Sequence, residues 1–243
     1  MAFDAKVELN RIIEWIRNWF EKNGPTAKAV IGISGGKDST IVAALCVEAL
    51  GKDRVVGVLM PNGDQKDIDD ALKVVEHLGI EYHIINIKDT CNAIHKELLH
   101  SDFVLTDATI QNIPPRVRMT TLYAVAQSIP EGGRVANTCN WSEDYVGYST
   151  KYGDSAGDFA PLGNYVVREV LAIGDLLDIP TELVHKTPSD GLCGKSDEDN
   201  LGFTYATLDR YIREGICEDD KVKENIDRRY RTNLHKLITI PKC

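Results

Sequence analysis

One short stretch constrains this chain more than any other. The apolar, β-branched run Ala29–Ile33 leads through Ser34-Gly35-Gly36-Lys37-Asp38-Ser39 into a segment of helical period over Thr40–Leu50. A run that short and that apolar reads as a buried strand. The paired glycines let the backbone reach positive φ and approach a ligand closely, and the helix that follows offers unpaired N–H groups at the positive end of its dipole. Strand, glycine-rich loop and helix, in that order, make a phosphate cradle. It is not the kinase-type loop, which requires glycine five residues before Gly36 and a hydroxyl residue after Lys37, where this chain has Ile31 and Asp38.

The rest of the chain repeats the alternation. Val55–Met60, Glu81–Ile87 and Gly133–Asn137 read as further strands, and Asp67–Leu78 and Asp89–Leu99 as helices. Pro114-Pro115 is expected to break the chain before a helix over Arg116–Gln127. Helices are also expected over Val7–Lys22, Tyr165–Leu177, Tyr205–Glu214 and Asp219–Leu237. The fold class is α/β, a Rossmann-like doubly wound parallel sheet in a single domain spanning residues 1–243. Trp15, Trp19 and Phe20 widen the apolar face of the first helix, as core or as interface. The composition of His185–Gly202, with proline, glycines and charges, suits a mobile lid.

Composition narrows the partners. A formal net charge of −9 argues against a nucleic-acid backbone as partner, while still allowing small anions where N–H groups and a few cations converge. The six cysteines form no CxxC pair and the histidines no metal-binding spacing, so neither a zinc site nor a redox dithiol is written into the chain. No apolar stretch is long enough to span a bilayer and the first residues lack a signal peptide's pattern, so a cytoplasmic protein without membrane attachment is expected.

The SGGKDS string resembles the pyrophosphate loop of the N-type ATP pyrophosphatases, enzymes that cleave ATP between the α and β phosphates. The second half narrows the resemblance. Asn140-Trp141-Ser142-Glu143, Gly147-Tyr148-Ser149-Thr150-Lys151-Tyr152-Gly153-Asp154 and Asp158 are similar to the signature of the NAD synthetase family, and matches at Pro114–Met119, Lys186–Gly191, Leu201–Tyr205 and His235-Lys236 extend it over essentially the whole chain. The resemblance implies an adenine nucleotide alpha-hydrolase-like fold and ATP-dependent amidation of deamido-NAD by free ammonia. It places Gly32, Ile33, Ser34, Gly35, Gly36, Lys37, Asp38, Ser39, Thr138 and Ser189 at the ATP. Arg116, Lys151, Asp158, His235 and Lys236 fall at deamido-NAD, and Mg²⁺ on Asp38 and Glu143. Asp154 would face the ammonia, and the family's homodimer would form in part through the first helix.

Plainer readings stand beside these. Arg116 and Lys151 also read as surface cations, Asp154 and Asp158 as turn residues, and Thr138 as structural. The chain departs from the commonest family pattern at Asn137 and Cys139, where glycines are frequent, and at Val167, where many members carry a lysine reaching the phosphates. Lys186 is the favoured catalytic substitute, because Arg168 points about 100° away from its helical neighbour. Two rival functions remain at this stage, a tRNA-thiolating relative and a nucleotide sensor without turnover.

Overall fold

The computed structural model describes residues 3–64, 68–185 and 197–242. At its centre β1 (Lys28–Gly32) pairs in parallel with β2 (Val55–Leu59), from Ala29 opposite Val55 to Gly32 opposite Val58. β3 (Glu81–Ile84) lies beyond β2, and β4 (Gly133–Val135) lies on the other side of β1, giving the parallel order β3-β2-β1-β4. Parallel neighbours need crossovers. Here they are α2 (Lys37–Leu50), α3 (Ile68–Leu78), then α4 (Lys88–His100) with α5 (Asp107–Ser128).

Alternation along β1 shows why the sheet is wound on both faces. Ala29 and Ile31 pack with α2, α3 and α1 (Ala5–Asn23), whereas Val30 joins Val58 and Val135 against α4 and α5. A strand buried on both sides has no polar positions to spare, which is why it reads as a continuous apolar run. From β1 the chain winds outward to β3 and then returns to β4. The carboxyl ends of β1 and β4 therefore flank the topological switch point, where open α/β sheets bind their ligands.

Several expected boundaries change; β3 ends at Ile84 rather than Ile87, which instead caps α4, and α2 begins at Lys37 rather than Thr40. Pro114 and Pro115 do not break the chain: α5 begins at Asp107, capped by the Thr106 hydroxyl on the Thr109 amide at 3.2 Å, and runs through both prolines. The carbonyls that lose their helical donors belong to Ile110 and Gln111, both exposed, so water can satisfy them. The helix expected over Tyr165–Leu177 is only α7 (Val167–Gly174). The Tyr165 carbonyl accepts from the Trp141 amide instead, and the last residues tighten into i→i+3 bonds from Leu176 to Ile173 and from Leu177 to Gly174. β4 stops at Val135, because Ala136 turns to bridge Phe159 in a separate parallel contact.

α6 (Trp141–Tyr145), α8 (Thr181–Val184), α9 (Asp197–Leu201), α10 (Tyr205–Glu214) and α11 (Asp220–Leu237) complete the described α-helices, and a 3-10 turn over Lys52–Arg54 leads into β2. A third, smaller core joins Val146, Val167, Leu201, Leu208 and Ile226. On α1, Phe20 is fully buried and Trp19 stacks on Phe159, while Trp15 stays exposed. Among the described residues no helix is long and apolar enough to cross a membrane.

Candidate active site

The loop after β1 is tied by its own side chains. The hydroxyls of Ser34 and Ser39 lie 3.1 Å apart, the Gly36 amide donates to Ser34 Oγ, and Ser39 and Thr40 both donate to the Gly36 carbonyl. Gly36 caps α2 without a side-chain bond, so the first amides of that helix remain open to a ligand. Gly35 is required twice: its φ is +77°, and a Cβ there would meet the Ala71 amide nitrogen at 2.8 Å.

A second strand end supplies the other wall. Asn140 caps α6 in a full capping box, accepting from the Glu143 amide while Glu143 bonds back to the Asn140 amide. The same Asn140 side chain donates to Asp38 Oδ1 at 3.1 Å and so couples the two halves of the site. Lys37 Nζ lies 2.7 Å from Asp38 Oδ2 and 3.9 Å from Glu143 Oε1, with its side chain only 5% exposed.

The electrostatics of this cluster follow from its burial. Desolvation, then the Asp38 charge, raises Glu143 well above the ordinary carboxylate range, and Lys37 only partly offsets this. Desolvation alone would lower Lys37, but Asp38 and Glu143 outweigh it and hold the ammonium above its usual value. Two carboxylates that repel each other beside an open helix terminus fit a hard cation shared with phosphate oxygens, which is how Mg²⁺ is commonly held. Among the described residues there is no group of three or more His, Cys, Asp and Glu placed to hold a metal by itself.

The residues assigned to the second substrate also converge. Arg116 donates to the Lys151 carbonyl at 3.2 Å, Lys151 Nζ to the His235 carbonyl at 2.7 Å, and Lys236 Nζ to the carbonyls of Gly147 and Ser149 at 2.6 and 2.7 Å. All three cations therefore rest on backbone carbonyls, and none is neutralised by a described carboxylate in an ion pair. Gly147, at φ +64°, lets α11 approach so closely that a Cβ would overlap the Asn233 side chain at 2.2 Å.

Asp154 is open to water while its carboxyl lies among protein mass, and desolvation raises it despite the Thr150 amide at 2.8 Å. Asp144 beside it is pushed up to about 6, by desolvation first and then by the Asp154 charge. Asp158 has structural work of its own: it accepts from the Val135 amide at 2.8 Å and from the Tyr123 hydroxyl at 3.2 Å. Thr138 is half-buried just past β4. Its neighbour Asn137 laces that loop to the carbonyls of Asp154 and Ala156, which accounts for a side chain where glycine is frequent. Lys186 and Ser189, with most of the expected lid, lie outside the described residues.

Val167 is a core residue, 7% exposed among Leu201, Phe203 and Tyr205, and Arg168 turns outward to Glu214 at 3.2 Å. Arg168 is thus no substitute for a phosphate-facing lysine. Sequence reasoning missed Asp209, whose buried carboxylate accepts from Ser142 Oγ at 2.6 Å and from the Arg168 amide at 2.7 Å, pinning α6, α7 and α10 together. The signal was available: Asp209 falls four residues after Tyr205 and one after Leu208, on the apolar face of α10.

Comparison with known proteins agrees with this fold. Residues 8–242 match the family described as NAD synthase. An NH(3)-dependent NAD(+) synthetase of Thermococcus sibiricus is 41% identical over 96% of this chain and 89% of its own length. Among solved structures, NMN synthetase from Francisella tularensis superposes with a TM-score of 0.90 at 32% identity, covering 100% of this chain and 99% of its own. The NH3-dependent NAD synthetase of Campylobacter jejuni, in complex with nitrate, gives 0.79 at 28% identity, with 100% and 99% coverage. A family match over nearly the whole length, with a relative 41% identical over 96% of the chain, leads to one assignment: this chain belongs to the NAD synthase family.

Proposed function

We propose that the protein is a ligase that amidates deamido-NAD with ammonia at the expense of ATP, giving NAD, AMP and pyrophosphate. The observation that carries this reading is the Asn140 bridge, which joins the loop carboxylate Asp38 to the Glu143 capping box beside Lys37. The Ser34–Ser39 amides and Lys37 hold the phosphates, and a nicotinate carboxylate oxygen attacks the α-phosphorus as the bond to the bridging oxygen breaks and pyrophosphate leaves. Mg²⁺, held by Asp38 and Glu143, would supply charge neutralisation at the phosphates. Thr138 and Ser189 complete the ATP contacts. Arg116, Lys151, Asp158, His235 and Lys236 hold the dinucleotide.

Ammonia then attacks the acyl carbon and AMP departs. Asp154 attracts ammonium and accepts its proton, a role suited to a carboxyl whose affinity for protons is already raised. Lys186 supplies the cationic contact that Val167 lacks. The active form is a homodimer in the cytoplasm, with exposed Trp15 on α1 at the subunit boundary.

A second acceptor is favoured by one observation, the 0.90 superposition on an NMN synthetase. On that reading the same amidation takes place on nicotinate mononucleotide. Measuring kcat/KM for the mononucleotide and for deamido-NAD, with ammonium and with glutamine as nitrogen source, separates the two. A preference for deamido-NAD with ammonium is the expected result, and a preference for the mononucleotide would replace it.

A further inference from the structure

α10 brings an unused hydroxyl to the phosphate end of the site. Tyr205, its first residue, is 5% exposed, and its hydroxyl is buried with no hydrogen-bond partner among the described residues. The ring is fixed from two sides, by Val167, Phe203 and Leu208 of the small core and by Lys37, whose Nζ lies 5.8 Å from the ring centroid. The backbone amide of the same residue is satisfied by Glu198 Oε1 at 2.8 Å, so the orphaned group is the side-chain hydroxyl alone.

Its surroundings are those of the nucleotide cluster. After burial, the charges that act on the phenol are Glu143, Asp197 and Asp38, and together they keep it protonated. It is therefore a donor with no acceptor. An unmade buried hydrogen bond is a cost that native chains rarely keep without a use for it in another state. None of the neighbouring carboxylates takes the bond: Asp38 is engaged by Lys37 and Asn140, Glu143 by its capping box, and Asp197 Oδ1 by the Tyr148 hydroxyl at 3.2 Å.

We propose that Tyr205 is a substrate-contacting residue whose hydroxyl donates to an oxygen of the β,γ end of ATP, the part that leaves as pyrophosphate. Lys37 supplies the charge there and Tyr205 the direction, since a neutral donor on a rigid ring fixes one oxygen without adding a second cation. The inference rests on the nucleotide reading above and adds a contact that falls outside the Gly32–Ser39 loop.

The test is Tyr205→Phe, which keeps the ring and its packing against Lys37 and removes only the oxygen. Calorimetry would measure binding of α,β-methylene-ATP with Mg²⁺, of pyrophosphate with Mg²⁺, and of AMP, with no acceptor present, alongside the melting temperature of the free protein. Expected are affinities for the ATP analogue and pyrophosphate weakened about ten- to a hundredfold, as for a hydrogen bond to a charged group, AMP binding unchanged, and a melting temperature equal to or above that of the wild type. Binding of the analogue within twofold of wild type, or an equal loss for AMP, overturns the assignment. If the wild type itself does not bind the analogue, the nucleotide reading fails and the inference falls with it; normal wild-type binding with an indifferent variant rejects the inference alone.

Discussion

The loop after β1 and the 147–154 turn, the two regions proposed above to meet the substrates, differ in how far they depend on the rest of the fold. The loop is held from within, by hydroxyl and amide bonds between residues five or fewer apart, on a strand buried on both faces. The turn has internal bonds as well, from the Thr150 amide to Asp154 and from the Gly153 amide to the Thr150 carbonyl, but it is also gripped from outside, by Lys236 of α11, by Asn233 at the adjoining Val146 carbonyl and by Arg116 of α5. A locally tied loop presents the same phosphate-binding amides whatever its neighbours do. A turn gripped by distant helices depends on where those helices sit.

Substitutions can break or sharpen that contrast. The largest effect is expected for Asp38→Asn, which removes charge from the rigid loop. Pyrophosphate release should fall about 10²–10³-fold, with a circular-dichroism melt close to wild type; a large loss of stability would show that the loop is not self-supporting. Next is Asp209→Ala, which leaves Ser142 and the Arg168 amide unsatisfied in the small core. A cost of about 2–3 kcal/mol is expected, a melting point lowered by roughly 4–12 °C, and a melt unchanged within a degree would show that α6, α7 and α10 do not depend on that carboxylate.

Lys151→Met tests the externally gathered turn. KM for deamido-NAD should rise about tenfold, the scale of one charge-assisted contact, while KM for ATP stays put; a parallel rise in both would mean that the two regions are not separable. The smallest effect is expected for Asp144→Asn. Its carboxyl titrates at about 6 in the folded protein against about 3.9 in an unfolded chain, so stability falls as pH rises from about 4 to about 6 and the penalty is complete above that. Removing the charge should raise the melting point of the metal-free protein at pH 7.5 and change it little at pH 4. A gain that is equal at both pH values would remove titration as its cause.

The same division decides what was legible in the sequence. The strand, the SGGKDS loop and α2 could be read because every signal that makes them is local: apolar continuity, paired glycines, and the absence of a Walker spacing. Asn140 and Glu143 could be found as a motif, and their spacing already spelled a capping box. The 23-residue reach from Asp158 to the Val135 amide, the pinning by Asp209 and the orphaned Tyr205 hydroxyl could not, because each depends on partners brought together only by the sheet order. Pro114 and Pro115 misled for a related reason, since whether a helix tolerates proline depends on surroundings such as the exposure of the carbonyls it frees, here those of Ile110 and Gln111.

The central claim is that a nicotinate carboxylate oxygen attacks ATP at the α-phosphorus in this site. It is tested most directly with deamido-NAD carrying ¹⁸O in both carboxylate oxygens, incubated with protein, ATP, Mg²⁺ and ammonium, and with AMP, pyrophosphate and NAD examined by mass spectrometry. One labelled oxygen in AMP, one in the amide of NAD and none in pyrophosphate is the predicted result. Label in pyrophosphate or inorganic phosphate, or AMP formed without label, would contradict it.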